Sequence, residues 1–505
     1  MVALLCGALV LVATRNDPQL SPDSITYLSA AEHLRNGAGL SDFTGAPLTV
    51  FGPIYPILLS PGGRSLMWAS LIGALAVAAA TFLMFLLLRG RVRPWVALVG
   101  AAALGTSQGM MRVASTALSE APYAAVALAT MVVLVGGSAG DSASNRAGGT
   151  TLTVRRSAVG GLLAGIGFLT RYAGAGLIAT GAVMVAAAPQ HGERRPRWRA
   201  LCAYGGAAVI TSATWIVRNL IRTGQPLGPR FEGGTTEALG TLLRRPLPAI
   251  GKLLVDGIGA ETAKWVGFAV VVALVVFTVL VVVHRPRRLA DVGVATFALT
   301  SLVVPVLARA VTANDIELRV MSPMLIPVIY IAAVTVDRAL SWASGRFGRR
   351  MVVYGLGLAL VLPWAYQGVM QARDLPRTLP YGAGSRTQYS PQLYDIVEAL
   401  PADVNILTNS PQRVWWQTRH EPTLFAFTRP RPGNSHYPLS VDETVRYACA
   451  GTTYLAWFGQ LLNAGDSPQE RRPDLLEVVD LTVQRSVPGG QLYVVTPRSE
   501  DLCGG

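Results

Sequence analysis

The chain has 505 residues, of which 51% are hydrophobic and only 14% charged, and its mean hydropathy is +0.41. Soluble proteins carry roughly 25% charge, so the composition argues against a string of water-soluble domains. The net charge of +14 comes almost wholly from arginine, with Lys252 and Lys264 the only lysines. These arginines fall in short clusters between apolar runs, a pattern of membrane topology rather than of nucleic-acid binding.

In chain order, the first apolar run, 2–14, is short for a bilayer that needs about 20 helical residues. It also lacks the basic flank of a signal peptide and reads as part of a first span. Further spans are predicted at 65–88, 94–107, 116–136, 157–170, 173–188, 200–217, 265–283, 292–308, 320–336 and 351–369. The runs at 94–107 and 157–170 are short enough to call for tilted, irregular or buried helices.

Alternating these spans gathers five basic connections on one side: Arg89/Arg91/Arg93, Arg146/Arg155/Arg156, Arg194/Arg195/Arg197/Arg199, Arg285/Arg287/Arg288 and Arg338/Arg346/Arg349/Arg350. Retention of positive loops makes that side cytoplasmic. The outer side then holds a first loop at 15–64, turns at Arg112 and Arg171–Tyr172, a large loop at 218–264, the 309–319 loop and everything after 369. The 218–264 loop carries seven Arg and Lys against four acids although it faces outward, which points to an anionic ligand.

Residues 371–505 have soluble character, with helical patterns at 392–400 and 442–450 alternating with strand candidates at 404–408, 423–427, 453–458 and 492–496. The division expected is a membrane domain at 1–370 and an extracytoplasmic α/β domain at 371–505. Cys6 and Cys202 fall in apolar helices. Cys449 and Cys503 lie in the C-terminal part, where a disulfide is one of two open outcomes.

Three groups of residues carry candidate chemistry. Ser21-Pro22 reads as a turn into a helix, with Asp23 at its start and Tyr27, Ala30, Ala31 and Leu34 at helical spacing. Asp23 is either a helix cap or a general base held at the membrane surface. Glu120 enters an apolar span from outside, either as a helix cap or a partner of Arg112, or as a second functional acid. Arg171, Arg218, Arg230 and Arg319 stand near outer ends of spans, where guanidinium groups suit a phosphate. The alternatives for them are lipid headgroups, or pairing with Asp315 and Glu317. Asn409, Trp415, Trp416 and His436 are weaker candidates for sugar contact, with a core or surface place the competing reading.

The chain resembles the GT-C superfamily of membrane glycosyltransferases, in the branch of protein O-mannosyltransferases and lipid A aminoarabinose transferases. The resemblance rests on Asp23, Tyr27, Leu28, Ala31, Leu34, Gly37 and Gly39 in the first loop, and on Ser119, Glu120 and Pro122. Leu169-Thr170-Arg171-Tyr172 and the segment from Arg218-Asn219 to Thr223-Gly224 add to it.

The resemblance implies a mainly α, polytopic helical bundle of about eleven helices in the plasma membrane, with the C-terminal α/β domain outside. It implies an inverting enzyme that moves a sugar from a polyprenyl-phosphate donor to a glycan, lipid or protein acceptor of the cell envelope. Asp23 and Glu120 would be catalytic. Arg319, Arg171, Arg218 and Arg230 would bind the donor phosphate, and Tyr27, Tyr172 and Asn219 the substrates. Many members carry two adjacent acids where this chain has Asp23-Ser24, and neither a metal nor a cofactor is expected. The competing classes are a transporter or flippase, and a noncatalytic membrane subunit.

Overall fold

The computed structural model describes residues 1–136, 152–188, 197–229, 237–255, 257–283, 288–312, 315–343, 364–374, 390–425, 439–459 and 467–503. In chain order the helices begin with α1 (Val2–Ala13), and the first connection then folds as α2 (Pro22–Arg35) and α3 (Ile54–Leu59). Next come α4 (Leu66–Arg89), α5 (Pro94–Gly105), a short α6 (Gln108–Ala114), α7 (Glu120–Val135), α8 (Val154–Thr170), α9 (Ala175–Ala187) and α10 (Arg197–Thr223). The second long connection contributes α11 (Leu239–Arg244) and α12 (Pro246–Leu254). They are followed by α13 (Ala260–Val283), α14 (Leu289–Thr312), α15 (Leu318–Met321), α16 (Leu325–Trp342) and α17 (364–374).

Ten of the eleven apolar runs are therefore helical. The last run lies outside the described residues over 351–363, and so do Arg146, Arg194, Arg195, Arg285, Arg287, Arg346, Arg349 and Arg350. Five described helical units, α4, α10, α13, α14 and the run from α15 through α16, are long and apolar enough to cross a bilayer; α1, α5, α7 and α9 are shorter. Only 17% of the α13 window is buried against 61% for 318–342, which sets α13 at the lipid-facing rim and α16 in the middle. Small residues let the helices close up: a side chain at Gly161 of α8 would sit 2.0 Å from the Tyr204 carbonyl oxygen of α10.

The connections sort to opposite ends of the bundle. At one end the first connection is bonded to the 115–119 turn, to Thr170–Tyr172, to the C-terminal end of α10 and to α15. At the other end Arg91 Nε donates to Asp291 Oδ1 at 3.0 Å, and Tyr330 Oη donates to the same oxygen at 2.7 Å. Arg93 caps that end by donating its backbone N–H to Asp337 Oδ1 at 3.1 Å. These bonds tie α4–α5, α14 and α16 together where the basic clusters lie.

The C-terminal part forms a five-stranded mixed sheet in the order β2 (Thr423–Leu424), β1 (Asn405–Thr408), β3 (Thr453–Trp457), β5 (Gly490–Pro497), β4 (Val479–Val487). β1 runs parallel to β2 and β3, and β5 antiparallel to β3 and β4. Alternation along the strands fills two cores. Leu407, Leu455, Trp457 and Tyr493 face one layer, while Ile406, Ala456, Phe458 and Leu492 face the other. Helices α18 (Pro391–Glu398), α19 (Pro411–Thr418) and α20 (Val441–Ala450) pack on it. A disulfide joins Cys449 of α20 to Cys503, 54 residues on.

Two outcomes are expected from this framework. Asp291→Ala strands the Arg91 guanidinium, and the detergent-solubilised protein should lose about 3–5 kcal/mol, whereas Tyr330→Phe should lose about 1 kcal/mol; thermal unfolding of both variants checks this. Opening the Cys449–Cys503 loop by double serine substitution should destabilise the C-terminal part by about 4 kcal/mol, read from its denaturation midpoint with the membrane helices left in place.

Candidate active site

Helix α2 is built by a reciprocal cap. Ser21 Oγ accepts the Ser24 backbone N–H at 3.1 Å, Ser24 Oγ accepts that of Ser21 at 3.1 Å, and Pro22 opens the first turn. Ser24 Oγ also donates to the Thr116 carbonyl at 2.5 Å, and the Gln19 N–H reaches Ser115 O at 3.0 Å. The start of α2 is thus pinned to the turn that leads into α7. Because Ser21 and Ser24 satisfy the helix end, the Asp23 side chain is left to do something else. Its Oδ2 accepts from Arg319 NH1 at 2.5 Å, while Arg319 Nε donates to Glu317 Oε2 at 3.0 Å. The Asp23 and Arg319 side chains remain 29% and 31% exposed, so a ligand can reach both.

Glu120 opens α7 and is almost fully buried, at 4% exposure. The run at 116–136 becomes helical only at Glu120, because Ala117 adopts a left-handed φ of 50° that turns the chain before the helix begins. Glu120 pairs with Arg171 rather than with Arg112, and its Oε2 meets no donor among the described residues. Arg171 is the extended residue that ends α8 ahead of a short 3-10 turn at Tyr172–Gly174, which swings its side chain toward α7.

Tyr27, one turn after Asp23, joins the two pairs. Its hydroxyl lies 3.1 Å from Ser119 Oγ, and its ring packs edge-on against Tyr55 at 5.0 Å and against Phe51 at 4.9 Å. Burial above all, then the charges of Glu120 and Asp23, push the phenol pKa up against the opposing pull of Arg171. Tyr27 is therefore a neutral hydroxyl within electrostatic reach of both acids and of Arg171. Arg319 in turn feels Glu120 as well as Asp23. Two acid–arginine pairs with a buried hydroxyl between them occupy one place at the end of the bundle.

The other expected residues hold the first connection in shape. Arg218 lies over the Trp215 ring at 4.3 Å and donates to Leu48 O at 2.8 Å and Leu40 O at 3.3 Å. Asn219 Nδ2 bonds Thr49 O and Pro226 O, each at 3.2 Å. Tyr172 donates to Thr49 O at 2.5 Å and accepts the Trp215 indole N–H at 3.0 Å. The loop comes so close to α8 here that a side chain at Gly52 would sit 1.9 Å from Leu169 O.

Arg230 and His436 lie outside the described residues. Asn409 is bonded both ways to the Phe458 backbone, and Trp415 is buried against α2 and α3 in the core of the first connection. Tyr55, packed against the Tyr27 ring, carries no local sequence signal. Among the described residues no three His, Cys, Asp or Glu side chains gather as metal ligands.

No family model and no curated protein matches the sequence. Solved structures do match the fold. ArnT from Cupriavidus metallidurans, in a structure bound to undecaprenyl phosphate, aligns with a TM-score of 0.61 at 13% identity over 100% of this chain and 98% of its own. The archaeal oligosaccharyltransferase AglB from Archaeoglobus fulgidus, in complex with an inhibitory peptide and a dolichol-phosphate, gives 0.56 at 10% identity over 99% and 76%. An Archaeoglobus fulgidus oligosaccharyltransferase complex with Zn and sulfate gives 0.54 at 12% identity over 97% and 73%. The alignments run over nearly the whole chain, so this is a membrane protein with the fold that these solved structures share.

Proposed function

We propose that the chain is an inverting glycosyltransferase that moves a sugar from a polyprenyl-phosphate donor to a hydroxyl of a cell-envelope glycan, lipid or protein. The observation that carries this reading is the meeting of Asp23 with Arg319, 296 residues apart, in a partly exposed pair beside Glu120 and Arg171. Two proteins of the same fold bind lipid phosphates, which supports a lipid-phosphate donor. The site then faces the outer side of the plasma membrane, with a membrane domain at 1–370 and an extracytoplasmic domain at 371–505. The Cys449–Cys503 disulfide favours that side, since such bonds persist in oxidising compartments.

The chemistry follows from the residue types. The donor phosphate takes up N–H donors of Arg319 and so competes with Asp23 for them. A freed Asp23 oxygen accepts the proton of the acceptor hydroxyl as the hydroxyl oxygen attacks the anomeric carbon opposite the phosphate. The bond from the anomeric carbon to the phosphate oxygen breaks, and its electron pair leaves with the polyprenyl phosphate. Arg319 neutralises the charge that builds there. Glu120, fixed by Arg171, adds buried negative charge to the wall beside Asp23 and Arg319. Tyr27 completes the wall of the sugar site, and Arg218, Asn219 and Tyr172 act through the loop they hold.

The test is sugar transfer by membranes carrying the protein, with a panel of labelled polyprenyl-phosphate sugars and native envelope as acceptor. Asp23→Asn should lower kcat about 10²–10⁴-fold while the protein stays folded, because the Ser21–Ser24 cap does not involve Asp23. Arg319→Ala should cost about 10²–10³-fold in kcat. Undiminished transfer in Asp23→Asn would overturn the assignment of the base. No transfer from any donor by the wild type would turn the reading to a lipid carrier or a partner subunit.

A further inference from the structure

At the far end of α2, Arg64 bridges the helix to the C-terminal part of the chain. Arg64 stands just ahead of α4, and its guanidinium lies over two rings of α19, 4.5 Å from Trp415 and 4.7 Å from Trp416. The same group donates to the Trp416 carbonyl at 2.5 Å and pairs through Nε with Glu32 Oε2 at 3.5 Å. Glu32 is on α2, nine residues after Asp23. Nine residues are two and a half turns, so Glu32 projects from the face opposite Asp23, about 13 Å further along the axis. A second pair runs beside it, His33 Nε2 to Glu421 Oε1 at 3.2 Å. Trp415 itself is buried in the apolar cluster that contains Ile25, Tyr27 and Leu28 of α2.

From this geometry we infer that Arg64 is a positioning residue: it locks the C-terminal end of α2 to α19 and so sets where Asp23 stands against Arg319. The inference rests on the reading of Asp23 as the base. A helix pinned at both ends cannot tilt, and α2 is pinned at its start by Ser24 and Thr116 and at its far end by Arg64. Release of the far end lets the helix axis tilt about the Ser24 anchor, which turns the neighbouring Asp23 carboxylate relative to Arg319. Small displacements of a reacting group are costly, whereas the phosphate grip of Arg319 on α15 does not depend on that tilt. The arrangement calls for arginine, since a lysine ammonium lacks the flat face that can lie against the indole rings.

The experiment compares the full-length wild type with Arg64→Ala, with the milder Glu32→Gln, which keeps the aromatic stack, and with the double variant. Two readouts are taken on each: steady-state sugar transfer per folded molecule, and hydrogen exchange of α2 amides 23–35. Arg64→Ala and Glu32→Gln should each lower kcat about tenfold with donor KM within about twofold, and the double variant should be no worse than Arg64→Ala. In all three, α2 should lose exchange protection. Lower yield or thermal midpoint with kcat and α2 protection unchanged would overturn the inference. The exchange readout needs no turnover, so a wild type that transfers no sugar would sink the proposed reaction while the coupling of Arg64 to α2 is still decided.

Discussion

A bilayer core offers the peptide backbone no hydrogen-bonding partner, so a chain this apolar has to carry its backbone through the membrane as helices. Every irregular segment is driven to one end of the bundle or the other. At the end where the basic clusters lie, Arg91, Asp291 and Tyr330 lace helices together. At the opposite end two long connections fold back on one another. The site exists because that end collects residues from α2, the 115–119 turn, the end of α8 and α15 within one small volume.

The two acid–arginine pairs differ in burial, and burial separates what each can do. Glu120 is 4% exposed, and removing Arg171 from it would leave a charge with almost no solvent, at a cost of several kcal/mol. That pair is a fixed part of the wall. Asp23 and Arg319 are each close to one-third exposed, so water or an incoming anion can share their bonds at small cost. An exchangeable pair beside a permanent one suits a site that must open for a charged ligand and still keep its shape.

Much of the architecture was legible because apolar runs and loop charge are local signals. The helices followed the hydrophobic runs, and β1, β3 and β5 followed short apolar stretches bounded by turn residues. Strand β4 escaped because of its position at the sheet edge: of Val479–Val487 only Val479 is buried, so its alternation faces no core. Asp23, Glu120, Arg171 and Arg319 stood out individually, but a bond across 296 residues has no local signature. Arg218 shows the limit from the other side. An arginine at the end of a span looks the same whether it grips a phosphate or the carbonyls of Leu40 and Leu48, and only the path of the loop decides.

The reciprocal cap of Ser21 and Ser24 separates folding from chemistry within a single helical turn. In many helices the first-turn acid is itself the cap, and its loss unravels the end it served. Here two serines hold the helix end and bind the Thr116 carbonyl, so the position between them is free to vary without loss of the scaffold. A lineage could therefore try other groups at position 23 and pass through inactive yet stable intermediates. The same scaffold could in this way drift toward new partners at a cost in activity alone.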